Sequence, residues 1–223
     1  MVSEQGHNQP YPPVRGRARN TREQLLHAGA VEIARLGYKQ ASVTRICRKA
    51  GVTTGALYSH FPTKWAMAEE LLQRQRVRVN ELAGHVGETL PAALDRLLCF
   101  SSDLAELIVS DAGVRACLQI STERSLPPRS QVWQHWALLA DALETSAHLP
   151  SCAATMSPRF GATSIALLIG AWISTRDGTE PDFDCLLRQL WEIVARGAVD
   201  EANQASATAS VEIIFGRTSP SAP

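Results

Sequence analysis

Ala41-Ser-Val-Thr-Arg-Ile-Cys-Arg-Lys-Ala-Gly-Val-Thr-Thr-Gly-Ala-Leu-Tyr-Ser-His-Phe-Pro-Thr-Lys64 decides the fold. Val43, Ile46, Cys47 and Ala50 recur at the i, i+3, i+4, i+7 spacing that gathers apolar side chains on one helix face, and Thr44 is placed to cap the start of that helix. Gly51 ends it, because the left-handed position after a helix suits a residue without Cβ. Val52 plugs the turn, Thr53 caps a second helix, and this helix has room only for residues 54–60. Two short helices joined by a glycine-containing turn make a helix-turn-helix.

To read DNA, the second helix of such a unit must enter the major groove with its N-terminal residues near base edges, where small side chains allow close approach. Thr53, Thr54, Gly55 and Ala56 meet that requirement. Leu57 and Phe61, four apart, are expected to anchor the helix to the core, leaving Tyr58 and His60 toward the exposed side, with Tyr58 on a phosphate. Thr63 is placed to cap the following helix, and Lys64 falls in its first turn. A cation there opposes the helix dipole, so Lys64 is expected to meet a phosphate.

Upstream, Thr21-Arg22-Glu23-Gln24 reads as a Thr-x-x-Gln capping box, with Asn20 and Glu23 offering a start one residue earlier. Leu26, Ala30, Ile33 and Ala34 form the apolar face of the helix it opens, and Gly37 stops it. Residues 1–20, with four Gly or Pro positions up to Pro13, Gly16, and Arg15, Arg17 and Arg19 at alternate places, read as a flexible basic arm that orders on a partner. Arg17, Arg19, Arg45 and Lys49 are expected on phosphates, Arg17 or Arg19 entering the minor groove. The expected DNA-contacting set is Arg17, Arg19, Thr44, Arg45, Thr53, Thr54, Gly55, Ala56, Tyr58, His60 and Lys64.

Beyond Lys64 the periodicity stays helical, with helices expected near 64–83, 90–109, 111–122, 130–147, 158–175 and 182–200 and with Gly or Pro between them. Nothing alternates with period two for long, so the fold class is all-α. An N-terminal three-helix, helix-turn-helix DNA-binding domain (21–65) precedes a C-terminal helical ligand-binding and dimerisation domain (66–203). The Ser/Ala/Thr-rich residues 204–223 read as a loose tail, in which only 211–215 is apolar enough to pack.

The chain has 22 Lys/Arg and 22 Asp/Glu, yet residues 1–64 hold ten basic against three acidic and residues 65–223 hold twelve against nineteen. A basic head on an acidic body points to a nucleic-acid partner for the head. Cys47, Cys99, Cys117, Cys152 and Cys185 contain no Cys-x-x-Cys pair and suit a reducing compartment. With no apolar secretory segment and no apolar run long enough for a membrane span, the expected location is cytoplasmic. His27, His60, His85, His135 and His148 lack metal-ligand spacing, and neither Gly-x-Ser-x-Gly nor a phosphate loop is present. No metal, cofactor or catalytic residue is therefore expected.

Gly37, the 41–50 helix and Gly51-Val-Thr-Thr-Gly-Ala-Leu-Tyr-Ser-His-Phe-Pro-Thr-Lys64 resemble the DNA-binding signature of the TetR family. Thr54 stands where many relatives carry Lys, and Trp65 where an acidic residue is frequent. Val114-Arg-Ala-Cys-Leu-Gln-Ile-Ser-Thr-Glu-Arg124, a Pro-containing loop and then Trp133 are similar to the γ-butyrolactone and furan autoregulator receptor branch, with Gln119 where relatives often have Arg. The resemblance implies a homodimeric repressor of a pseudo-palindromic operator, released by a γ-butyrolactone, furan or butenolide signal and controlling antibiotic or secondary-metabolite genes. Alternatives are a pseudo-receptor that answers to an antibiotic, an intermediate or no ligand, and a small-molecule-processing enzyme. The resemblance also implies that Trp133 or Trp136 lines the ligand cavity and that the last two long helices form the dimer interface. Leu186, Leu190, Val194 and Ala195 make a stripe for that interface, which packing within one subunit would produce equally. Gln119, Trp133, Trp136, Thr163 and Trp172 are the expected ligand set, an apolar cavity with sparse polar groups; for each ring, ordinary core packing is the competing account.

Overall fold

The computed structural model describes residues 14–90, 92–123, 125–127, 131–145, 160–175, 182–199 and 201–216, apart from the side chains of 14–18 and 198. The described residues form α1 (Val14–Leu36), α2 (Val43–Ala50), α3 (Thr54–His60), α4 (Lys64–Thr89), α5 (Ala93–Ser110), α6 (Ala112–Ser121), α7 (Val132–Thr145), α8 (Phe160–Thr175), α9 (Phe183–Ala198) and α10 (Gln204–Phe215), with a 3-10 turn at Glu201–Asn203. The protein is all-α. Among the described residues no helix is long and apolar enough to cross a membrane.

The first correction lies at the start of α1. Its first residue is Val14, so the Thr21 capping box is internal, and residues 14–20 of the expected flexible arm are helical. Arg and Ala at these positions favour a helix, and the last proline, Pro13, stands just before it, where its fixed φ does no harm. The rest of the arm, 1–13, lies outside the described residues.

The head is α1 laid across α2 and α3 and closed by the first turns of α4. Leu25, Ile33, Ile46, Leu57, Phe61 and Met67 are its centre, each at most 2% exposed. Met67 can pack this tightly because the facing residue is Gly29, where a Cβ would lie 2.7 Å from the Met67 Cε. Outside this core, Arg22 binds Glu70 and stacks 4.7 Å from the Phe61 ring, and Arg74 reaches Glu23 at 2.6 and 2.7 Å and Glu70 at 2.8 Å. This network ties α1 to α4.

At 26 residues, α4 outlasts the head and becomes a wall of the body against α5, α6 and α7. The expected boundary at 65/66 thus falls within one continuous helix. α1 also packs on α6, so head and body share one hydrophobic core. Buried Arg96 reaches across the body to the carbonyls of Leu143 (2.8 Å) and Leu90 (3.0 Å), acceptors that the ends of α7 and α4 leave without helical partners. α7 and α8 approach closely at Gly161, where a Cβ would lie 2.6 Å from the Ala140 carbonyl oxygen. The carboxylates of Asp141 and Glu144 accept the first backbone N–H groups of α8, from Ala162 (2.7 Å) and Gly161 (3.0 Å).

The second correction is at the other end. Residues 204–215 of the expected loose tail are α10, which lies on α9 and α5 with Ala207, Val211 and Phe215 buried at four-residue spacing. Ala-rich composition keeps the helix inexpensive, and one Val and one Phe, each stabilising by about 1.5–3 kcal/mol on burial, dock it.

Candidate nucleic-acid interface and ligand cleft

The helix-turn-helix is built from caps and one left-handed residue. Ser42, not the expected Thr44, is the N-cap of α2, its Oγ accepting from the Arg45 N–H at 3.3 Å. The cap must come before the first helical residue, and the helix begins at Val43; Thr44 is left exposed in the first turn. Gly51 closes α2 at φ 69°, and the N–H of Val52 reaches the Cys47 carbonyl at 3.0 Å. Thr53 caps α3, its Oγ1 accepting from the Ala56 N–H at 3.2 Å.

Fully buried Leu57, with Phe61 just beyond the end of the helix, fixes how α3 is rolled. Thr54, Gly55, Tyr58 and Ser59 consequently face outward, Tyr58 with 53% of its surface exposed, while Ala56 and His60 are half-buried. Arg45, Arg48 and Lys49 on α2 and Arg19 on α1 are exposed around them. The side chain of Arg17 lies outside the described residues. The outward face thus combines short uncharged side chains on α3 with flanking cations, and no aspartate or glutamate lies between Gly37 and Lys64.

Lys64 departs from expectation. Its ammonium points back into the head, donating to the carbonyls of Tyr38 (2.8 Å) and Ala41 (3.1 Å) and lying 4.3 Å from the Tyr38 ring centre. Burial lowers its pKa. The turn between α1 and α2 leaves these carbonyls without helical partners, and one ammonium with three donors satisfies them. Trp65 meets the same tyrosine edge-on at 6.1 Å. Lys64 therefore holds the start of α2 in place.

The five expected ligand residues do not share one place. Trp136 is 1% exposed in the body core, whereas Trp133 is 41% exposed and Thr163 is exposed on α8. Gln119 and Trp172 do meet, in a cleft of about 440 Å³ where α6 and α8 face the end of α1. Arg35 and Arg115 line it as well, and neither was singled out from the sequence. Arg115 falls inside the receptor-like 114–124 stretch, but nothing local says which way it faces. The stripe on α9 also divides: Ala195 joins Leu187 and Trp191 in the subunit's own core, while Leu186, Leu190 and Val194 are half-buried and Ile193 is 70% exposed. His135 is bonded to Asn80 at 2.7 Å.

Comparisons with known proteins agree with this architecture. Residues 25–71 match the family described as "Bacterial regulatory proteins, tetR family". The A-factor receptor protein of Streptomyces griseus is 31% identical over 103 residues, 46% of this chain and 37% of that receptor, so the match spans well under half of the curated relative. A γ-butyrolactone receptor crystal structure superposes with a TM-score of 0.73 at 25% identity, over 91% of this chain and all of that one. CprB from Streptomyces coelicolor, solved with its operator sequence, gives a TM-score of 0.73 at 26% identity over the same shares. With its capped helix-turn-helix set on this helical body, the chain carries at residues 25–71 the N-terminal domain of the tetR family of bacterial regulatory proteins and is similar over most of its length to a γ-butyrolactone receptor.

Proposed function

We propose that the protein is a homodimeric repressor that grips a pseudo-palindromic operator with α3 and lets go when a small molecule of γ-butyrolactone, furan or butenolide type binds the body. The outward face of α3 carries this reading: Thr54, Gly55 and Tyr58 project from a helix whose roll is locked by Leu57 and Phe61. Thr54, Gly55 and Ala56 read base edges, Tyr58, Arg45, Lys49 and Arg19 hold phosphates, and Thr53 and Lys64 act by holding the frame. The operator complex of the CprB relative supports DNA as the partner.

One seven-residue helix reads few base pairs, and two of them on half-sites about 34–36 Å apart double the contacts. α8 suits the dimer seam, because it has no charged residue and exposes Ala166, Gly170 and Ile173 on the face away from its own core. Ile193 on α9 adds to that apolar surface. A ligand that binds better when the two heads are mis-spaced lowers operator affinity by that same differential. The regulated genes are those of antibiotic or related secondary-metabolite production, and no turnover of the signal is involved.

Selection of bound DNA from a random pool, then a mobility shift at fixed salt with butyrolactone, furan and butenolide probes, tests both halves. The expected result is a two-fold symmetric site released by one probe class. Operator affinity unchanged by a probe that calorimetry shows to bind refutes the switch, and selection of sites without symmetry refutes the dimeric grip.

A further inference from the structure

We propose that the cleft between the end of α1, α6 and α8 binds a small organic carboxylate, gripped by Arg35 and Arg115 with its hydrocarbon part on Trp172. Its volume, about 440 Å³, lies in the range of small-molecule sites, roughly 300–1,000 Å³. Two guanidiniums line it and no carboxylate does. Arg115 is half-buried and held in position, its Nη1 donating to the carbonyls of Ile108 (2.9 Å) and Val109, which the end of α5 leaves free. Among the described residues no acidic side chain pairs with it. Arg35 has Glu32 at 3.5 Å, and Glu32 is not part of the lining.

A guanidinium fork matches a planar carboxylate in two parallel hydrogen bonds, which makes this the anion class such a pair prefers. The Gln119 amide adds a neutral polar group, and the Trp172 indole, 7% exposed, supplies the wall for a ring or short chain. Arg35 belongs to the head and Arg115 and Trp172 to the body, so an occupant bridges the seam that Lys39 and Glu123 already span at 2.7 Å. That such an occupant changes operator affinity rests on the reading above, that the set of the heads governs it; the site itself does not.

The full-length protein is titrated by calorimetry with 2-naphthoate and its neutral isostere 2-naphthamide, alongside Arg35→Gln and Arg115→Gln. The acid is expected to bind at least about tenfold tighter than the amide, the scale of one charge-assisted hydrogen bond, and each variant to lose that preference. Arg35 is a surface residue, so its variant keeps the test valid even if Arg115→Gln loosens the end of α5; melting curves check both. Equal affinity of acid and amide, no binding of either at millimolar concentration, or an undiminished preference in Arg35→Gln overturns the proposal. A mobility shift with a hydroxylated γ-butyrolactone on the same preparation separates the two ideas. Release by the lactone without any acid preference removes only the cleft; an inert lactone beside a bound naphthoate removes only the lactone signal.

Discussion

The head and the body are both helical, but they are specified over different distances. In the head, Ser42, Gly51, Thr53 and Thr63 each act on backbone within about one helical turn, so short-range chemistry sets the shape. Where the body meets the head, the cleft joins Arg35, Arg115 and Trp172 from three separate helices, and the last helix of the body exists because Val211 and Phe215 find a surface on α9 and α5. A unit defined by caps presents the same face wherever it is attached. A site defined by packing depends on every element around it, as the ligand-responsive body proposed above requires.

The sharpest way to break this contrast is to delete the same ring in each region. Phe61→Ala and Phe215→Ala both empty a buried site, 2% and 4% exposed, and each is expected to cost about 3–5 kcal/mol in denaturant unfolding. Only Phe61→Ala should abolish DNA binding in proportion to lost helix-turn-helix structure. If 204–215 were a loose tail, Phe215→Ala would stay within about 0.5 kcal/mol of the parent.

Glycines give the next largest effect, with opposite signs. Gly51 sits at φ 69°, so Gly51→Ala is expected to destabilise by about 1–2 kcal/mol. Gly84 lies within α4 with open space around its Cβ position, so Gly84→Ala should stabilise by about 1 kcal/mol. Thermal melting of the pair checks both signs.

Lys64 against Arg45 separates frame from contact. Lys64→Ala is expected to weaken operator binding while leaving the salt slope of the parent, because its charge already serves the Tyr38 and Ala41 carbonyls. Arg45→Ala, which removes one phosphate contact from each half-site of the dimer, should lower the slope by about 1.8. A reduced slope for Lys64→Ala would restore the phosphate contact expected from its place in the first turn of α4.

The smallest effect is electrostatic. The Arg74 guanidinium holds the Glu23 carboxyl below its ordinary value, and bonds from Arg22 and Arg74 outweigh burial to do the same at Glu70. A carboxylate with a depressed folded-state pKa adds stability above its unfolded value and loses it as pH falls through the folded one. Head stability should therefore be intact at neutral pH and drain away below about pH 4.3, the ordinary glutamate range. Glu70→Gln is expected to flatten that acid slope in pH-dependent melts, and added salt to shrink the effect at exposed Glu23.

Sequence alone determined the helix-turn-helix, its glycine turn, the buried Leu57 and Phe61 and the helical body, because each depends on spacing along one helix or on one residue's backbone freedom. It misplaced the start of α1, since a good capping box is equally tolerated inside a helix when the residues before it favour helix too. Tertiary structure alone decided that Lys64 turns inward to orphaned carbonyls, that α10 docks, and that Gln119 and Trp172 meet two arginines while Trp133 and Trp136 go elsewhere. Each of those outcomes is settled by which unsatisfied group or apolar surface a distant helix brings within reach, and no window along the chain contains that information.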